Sequence, residues 1–189
     1  MASWVQIANL ALTHLGAERI ASLGDDTAPA RAVAACYEPI RDAVLRDHPW
    51  NCALTTALIA ADADPPTFGF ARGYTLPSDP WCLRPWQVWE AAVPWVVRGR
   101  RLFTDREPPL PLVYIARVTD PELFDPALTV ALAARLAHTI AFQLVQSRDK
   151  EDQMWALYER LLRAARSLDA VEGTPQPGPS STFVRARYR

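Results

Sequence analysis

A chain of 189 residues, half of them hydrophobic, is long enough to bury one sizeable core. Its formal charge of −1 gives the whole molecule no strong pull toward nucleic acid or anionic membrane. The charge is unevenly placed: residues 173–189 hold three arginines and no acid, leaving 17 basic and 21 acidic residues, or −4, in the rest.

Nineteen of the 20 basic residues are arginine, with Lys150 the one lysine. GC-rich coding accounts for such a bias, and so would a need for planar, two-pronged pairs at interfaces. Cys36, Cys52 and Cys82 are odd in number and widely spaced, which fits neither a disulfide framework nor a Cys-x-x-Cys metal site. They read as buried free thiols in a reducing compartment. The start Met-Ala-Ser-Trp-Val-Gln lacks the basic residues and apolar run of a signal peptide. No window approaches the roughly 18 apolar residues of a membrane span. The expectation is a soluble chain, intracellular when made.

In chain order, Ser3 and Gln6 form a capping box, and Trp4, Ile7, Ala8, Ala11, Leu12 and Leu15 mark one face of a first helix over 4–15. Gly16 suits the left-handed residue that ends it. After a linker, Asp25-Asp26-Thr27 precedes a second helix reaching about residue 47, with Val33, Tyr37, Ile40, Val44 and His48 along one face. Pro39 lies inside that helix and predicts a kink; Pro49 stops it. Trp50 to Ala61 has helical spacing, but Thr55-Thr56 and its short length leave helix or strand open.

Between Asp62 and Pro126 lie 11 of the 17 prolines, which excludes long helices there. Phe68, Phe70, Arg72, Tyr74 and Leu76 alternate with smaller residues, as in a strand. Further strands read over Trp81–Trp89, Val93–Arg98 into a Gly99 turn with Leu102-Phe103, and Leu110–Arg117. The expectation is one small antiparallel sheet of about four or five strands, carrying Trp81, Trp86, Trp89 and Trp95. Asp125-Pro126 opens a third helix with Leu128, Leu132, Leu136, Ile140 and Leu144 on one face. Ser147 caps a fourth, whose buried stripe reads Met154, Tyr158, Leu161, Ala165 and Leu168. The fold class is therefore α+β, mainly helical: a four-helix bundle with a small antiparallel β-rich insertion between helices two and three, and a flexible C-terminal tail. The segments are 1–61, a helical half-bundle; 62–125, the insertion; 126–172, the second helical pair; and 173–189, the tail.

The tail begins as a polyproline-like spacer. Its end alternates, with Arg185, Arg187 and Arg189 on one side and Val184, Ala186 and Tyr188 on the other. That is the pattern of a strand added to a partner's sheet edge, and also that of a solvated end.

Candidate chemistry is sparse. His14, His48 and His138 fall on separate helices without metal-ligand spacing. There is no glycine-rich phosphate loop and no Gly-x-Ser-x-Gly elbow. The carboxylates Asp25-Asp26, Asp62/Asp64 and Asp120/Glu122/Asp125 read as turns and caps, and nothing pairs any two of them for hydrolysis. Arg98, Arg100 and Arg101 cluster, but Glu90, Asp105 and Glu107 flank them. The tryptophans read as core or protein-interface residues in preference to base-stacking platforms. Neither a catalytic set, a cofactor site nor a metal site is expected.

Five ordered segments carry a family likeness: Ile7-Ala-Asn-Leu-Ala-Leu-Thr-His-Leu-Gly16 with Ile20 and Leu23; Tyr37 through Arg41-Asp42 to His48-Pro-Trp-Asn51; Tyr74-Thr-Leu-Pro-Ser-Asp79; Arg100-Arg-Leu-Phe-Thr-Asp105; and Tyr114-Ile-Ala-Arg-Val118 leading to Phe124-Asp-Pro126. Over about residues 4–170 the chain resembles the tail tubular protein A family, the head-to-tail adaptor or gatekeeper-ring proteins of short-tailed phages and related prophages. The resemblance implies a structural virion protein, not an enzyme, made in the bacterial host cytoplasm and placed at the head–tail junction. It implies a ring of like subunits, usually a dodecamer, between a portal protein and a downstream tail or nozzle protein, with DNA passing through non-specifically and no membrane involved. Pro39 and the arginine-rich end match no family pattern. Phe183, Val184, Arg185, Arg187, Tyr188 and Arg189 are expected to dock on the portal. The alternatives are a virion-associated wall-degrading hydrolase, resting on the scattered carboxylates, and a single-strand nucleic-acid-binding module, resting on the tryptophans.

Overall fold

The computed structural model describes residues 3–89 and 93–172, and the fold is mixed α+β. In order the elements are α1 (Trp4–Leu15), α2 (Ala28–Asp47), β1 (Leu54–Ile59), β2 (Arg72–Thr75), β3 (Cys82–Val88), β4 (Trp95–Arg98), β5 (Arg101–Thr104), β6 (Leu110–Ala116), a 3-10 turn (Pro121–Leu123), α3 (Pro126–Val145) and α4 (Arg148–Val171).

The helix ends follow local chemistry. The Ser3–Gln6 capping box is closed from both sides, and Gly16 takes φ 68° to end α1. Thr27 caps α2, Asp125 accepts from Ala127 and Leu128 at the head of α3, and Ser147 accepts from Lys150 at the head of α4. α2 runs on through Pro39 to Asp47, at the cost of the hydrogen bond that residue 39 would have donated to Ala35.

The strands correct the expected single sheet. They form two three-stranded antiparallel sheets, ordered β1-β6-β3 and β2-β5-β4. Gly99, at φ 61°, turns β4 into β5, and β2 pairs with the other side of β5. β6 instead pairs back with β1, from Leu54 opposite Ile115 to Ile59 opposite Leu110. Leu54–Ile59 is thus a strand, and the helical part of the 1–61 segment ends at Asp47. Its helical spacing lost to the long-range ladder with β6, which satisfies its backbone on one side. The alternation at Phe68–Leu76 yields a strand only at Arg72–Thr75; Phe68 is exposed and Gly69 takes φ 98°.

Two cores result. The larger joins α1–α4 with Trp50, Ile115, Val118 and Phe124. The smaller lies within the sheets: Tyr74, Leu76, Cys82, Val88, Leu102, Leu110, Leu112, Tyr114 and Ala116. β6 belongs to both because successive strand residues point to opposite faces. Leu110, Leu112, Tyr114 and Ala116 enter the small core, while Ile115 enters the large one.

Two helical expectations are also corrected. α4 buries Met154, Tyr158, Leu162, Ala165 and Asp169; Leu161 is only half-buried and Leu168 is exposed. The stripe slips by one residue toward Asp169, which a turn at residues 48–51 draws inward. α3, 20 residues with a mean hydropathy of 1.5 in its most apolar window, is long and apolar enough to cross a membrane. Half of that window is buried in the protein, because α3 touches α1, α2 and α4 and needs apolar residues round most of its girth.

Candidate interaction face

Most residues with chemical potential are occupied by local structure. His48 Nε2 lies 3.2 Å from Asp169 Oδ2, and Asp169 also accepts from the Asn51 backbone N–H at 2.9 Å. His138 Nδ1 meets the Glu151 carbonyl at 3.1 Å. His14 stands apart on α1, held below its ordinary pKa by burial and by the charge of Lys150. Burial likewise lowers His48, against the opposing hydrogen bond and charge of Asp169. Among the described residues no three His, Cys, Asp or Glu side chains gather as metal ligands would.

Cys52 and Cys82 are each pushed up to about 11 by burial, the opposite of an activated thiolate. Asp25 accepts from the backbone of Ala21 and Ser22, Asp26 pairs with Arg31, and Asp120 and Asp125 cap their turns. Asp62 accepts from Thr75 and Arg101. Burial raises its pKa, but these hydrogen bonds outweigh that and hold it below the usual carboxylate range.

The cluster Arg98, Arg100 and Arg101 is divided. Arg98 and Arg101 lie near Phe103, and Arg101 also pairs with Asp62 at 2.6 Å. Arg100 donates to the carbonyls of Cys82 at 2.7 Å and Pro77 at 2.6 Å, and its guanidinium lies 3.8 Å from the Trp81 ring centre. Arg117 approaches the same ring at 5.4 Å and donates to Asp42, which also binds the buried Arg41. Trp81 is therefore held by two cations, one from the Gly99 hairpin and one from the end of β6.

Trp81 is not a core residue, and neither are Trp86, Trp89 and Trp95. Each keeps at least 36% of its surface exposed, as does Trp155, whereas Trp50 is buried. Three of these rings border two adjoining clefts, Trp81 and Trp95 the first and Trp155 the second. One, about 540 Å³, lies between α2 and the sheets and is lined by Asp42, Arg46, Trp81, Arg84, Trp95 and Arg100, among others. The second, about 530 Å³, lies between α2, β3 and α4, with Arg46, Arg84, Arg135, Trp155, Tyr158 and Arg166 in its wall. Ala43, Arg46 and Arg84 belong to both. Arginine and tryptophan are the side chains that protein interfaces concentrate. No periodic signal marked this face, because it is assembled from α2, β3, β4, α3 and α4, which are separate in the chain.

Phe183, Val184, Arg185, Arg187, Tyr188 and Arg189 lie outside the described residues, as does Glu90. No family model matches the chain, and no curated protein matches it either.

Proposed function

We propose that this chain is a structural virion protein, a head-to-tail adaptor whose copies close into a ring between portal and tail and line part of the DNA channel. On this reading α1–α4 form a four-helix bundle and the six strands are an insertion between α2 and α3. The ring is a dodecamer, its partners are the portal protein above and a tail or nozzle protein below, and no membrane is involved.

One observation carries the reading: the five resembling segments occur in order, and their residues sit at the joints between elements. Asn9 clamps both backbone groups of Ile20, at 2.9 and 2.8 Å, and so sets the path from α1 to α2. Trp50 donates to Val44 at 3.0 Å, and Asn51 ties the turn after α2 to the end of α4 through Asp169. Tyr74 reaches Arg106, Arg100 bridges the β2–β3 turn, and Asp125 starts α3. A closed ring needs heterologous contacts between unlike surfaces of like subunits, and the exposed tryptophan and arginine face is one such surface. A body charge of −4 also suits a channel past which DNA slides, since each phosphate contact adds affinity.

Mixing the purified protein with its cognate portal should give a ring-on-ring complex by electron microscopy; no complex at any protein ratio or salt would reject the reading. Deleting residues 174–189 should leave the circular dichroism spectrum intact and weaken portal docking.

A single-strand binder has the exposed tryptophans and neighbouring arginines in its favour. Against it stand Asp42, Asp47 and Glu159 in the same clefts, which interrupt any basic track.

A further inference from the structure

The cleft between α2, β3 and α4 differs in charge from the rest of the molecule. Its wall carries Arg46, Arg84, Arg135 and Arg166 against Asp47 and Glu159, a local excess of cations on a body of net −4. Arg166 is paired with Asp47, and Arg46 donates to the Leu83 carbonyl. Arg84 and Arg135 have no carboxylate partner among the described residues. Each lies near an aromatic ring instead: Arg84 at 5.2 Å from Trp86, Arg135 at 5.0 Å from Trp155 and 5.6 Å from Tyr158.

The Nε atoms of Arg84 and Arg166 are buried with no acceptor. Carboxylates suit guanidinium donors best, because both groups are planar and carry matched pairs of atoms. Between the cations the wall is apolar and aromatic, with Val44, Trp155 and Leu162. A phosphate backbone, which presents charge at every step, would meet Asp47 and Glu159 in this cleft. A peptide with spaced acids can avoid them.

We propose that this cleft is a docking site for an acidic peptide segment of a partner protein, one that brings carboxylates to Arg84 and Arg135 and an apolar side chain to Trp155. The site does not depend on the adaptor reading: a chain that fails to join a portal ring can still bind such a peptide, and the reverse holds too.

The test uses the full chain and a fluorescein-labelled peptide of four Glu-Glu-Phe repeats, read by anisotropy. Binding should saturate, weaken with added salt, and exceed that of the Gln-Gln-Phe counterpart by about tenfold or more. Arg135→Glu, and separately Arg84→Gln, should each lower affinity about tenfold, with circular dichroism unchanged. Arg160→Glu, an exposed α4 charge outside the cleft, should change it little. Three results would overturn the proposal. One is equal binding of the glutamine peptide or indifference to both cleft variants. Another is displacement of the peptide by oligo-dT at lower concentration than by unlabelled peptide, which would assign the cleft to nucleic acid. The third is peptide-free self-association in sedimentation, abolished by Arg135→Glu, which would assign it to a second copy.

Discussion

The helical half and the β half of this molecule are held by different means. The helices are joined by apolar burial, in a core running from Ile7 to Ala165 that includes the buried Trp50. The sheets bury only a small core and are fastened at their margins by guanidinium groups. Arg100 holds the carbonyls of Pro77 and Cys82, Arg101 holds Asp62, Arg46 holds the Leu83 carbonyl, and Arg117 holds Asp42 on α2. Short, proline-broken strands have little apolar surface to bury, and polar fasteners supply what the small core lacks. The bias toward arginine thus has one structural use, since Arg100 and Arg101 each engage acceptors through more than one donor of one plane at once.

The largest test of that contrast lies in the helical core. Trp50→Ala should destabilise the protein by about 3–5 kcal/mol in urea denaturation, through lost packing and a lost bond to Val44. A loss below about 1 kcal/mol would show that apolar burial around Trp50 is not what binds the helices.

β6 allows a sharper comparison, because its two faces serve different cores. Leu112→Ala and Ile115→Ala should each cost about 2–5 kcal/mol. Three residues apart on an extended strand, they sit about 10 Å from each other and should add to within about 0.5 kcal/mol. Strong coupling in the double mutant would mean that the two cores behave as one.

Arg100→Lys keeps the charge but not the fork. It should cost about 1–3 kcal/mol, since carbonyls in the β2–β3 turn lose their donor. A neutral result would remove arginine from the account of how the sheets are held.

pH separates the halves more gently. His14 and His48 titrate below their ordinary 6.5 in the folded chain, so the unfolded chain binds protons first. Their contribution is complete above pH 6.5 and is lost as pH falls from there through the lowered folded values. Asp62 is also held low, but from 3.8, so the stability it contributes in the sheets persists until far more acid conditions. Denaturation midpoints at pH 7.5 and 5.5 should therefore fall for the wild type and fall less for His14→Gln/His48→Gln. An equal fall in both would show that the histidines are not the cause.

Local chemistry was legible wherever one residue decides one bond. Ser3, Gly16, Thr27, Asp125 and Ser147 sit at the helix ends that their side chains or backbone freedom call for. The clean leucine face of α3 was legible too, because a helix packed among three others needs apolar residues at every turn. Leu168 and Asp169 show the limit. Pattern alone puts the leucine inside, yet the carboxylate is buried, because Asn51 and His48 wait for it from more than 100 residues away.

The sequence by itself determined the four helices, their caps and the proline-rich β region between α2 and α3. Each of these rests on neighbours within a few residues. Tertiary structure alone decided that the strands form two sheets, that Leu54–Ile59 joins one of them, and that tryptophans 81, 95 and 155 border a common pair of clefts. Strand pairing and surface clefts depend on which distant segments meet. That is settled by the cost of leaving backbone groups and apolar faces unpaired across the whole chain.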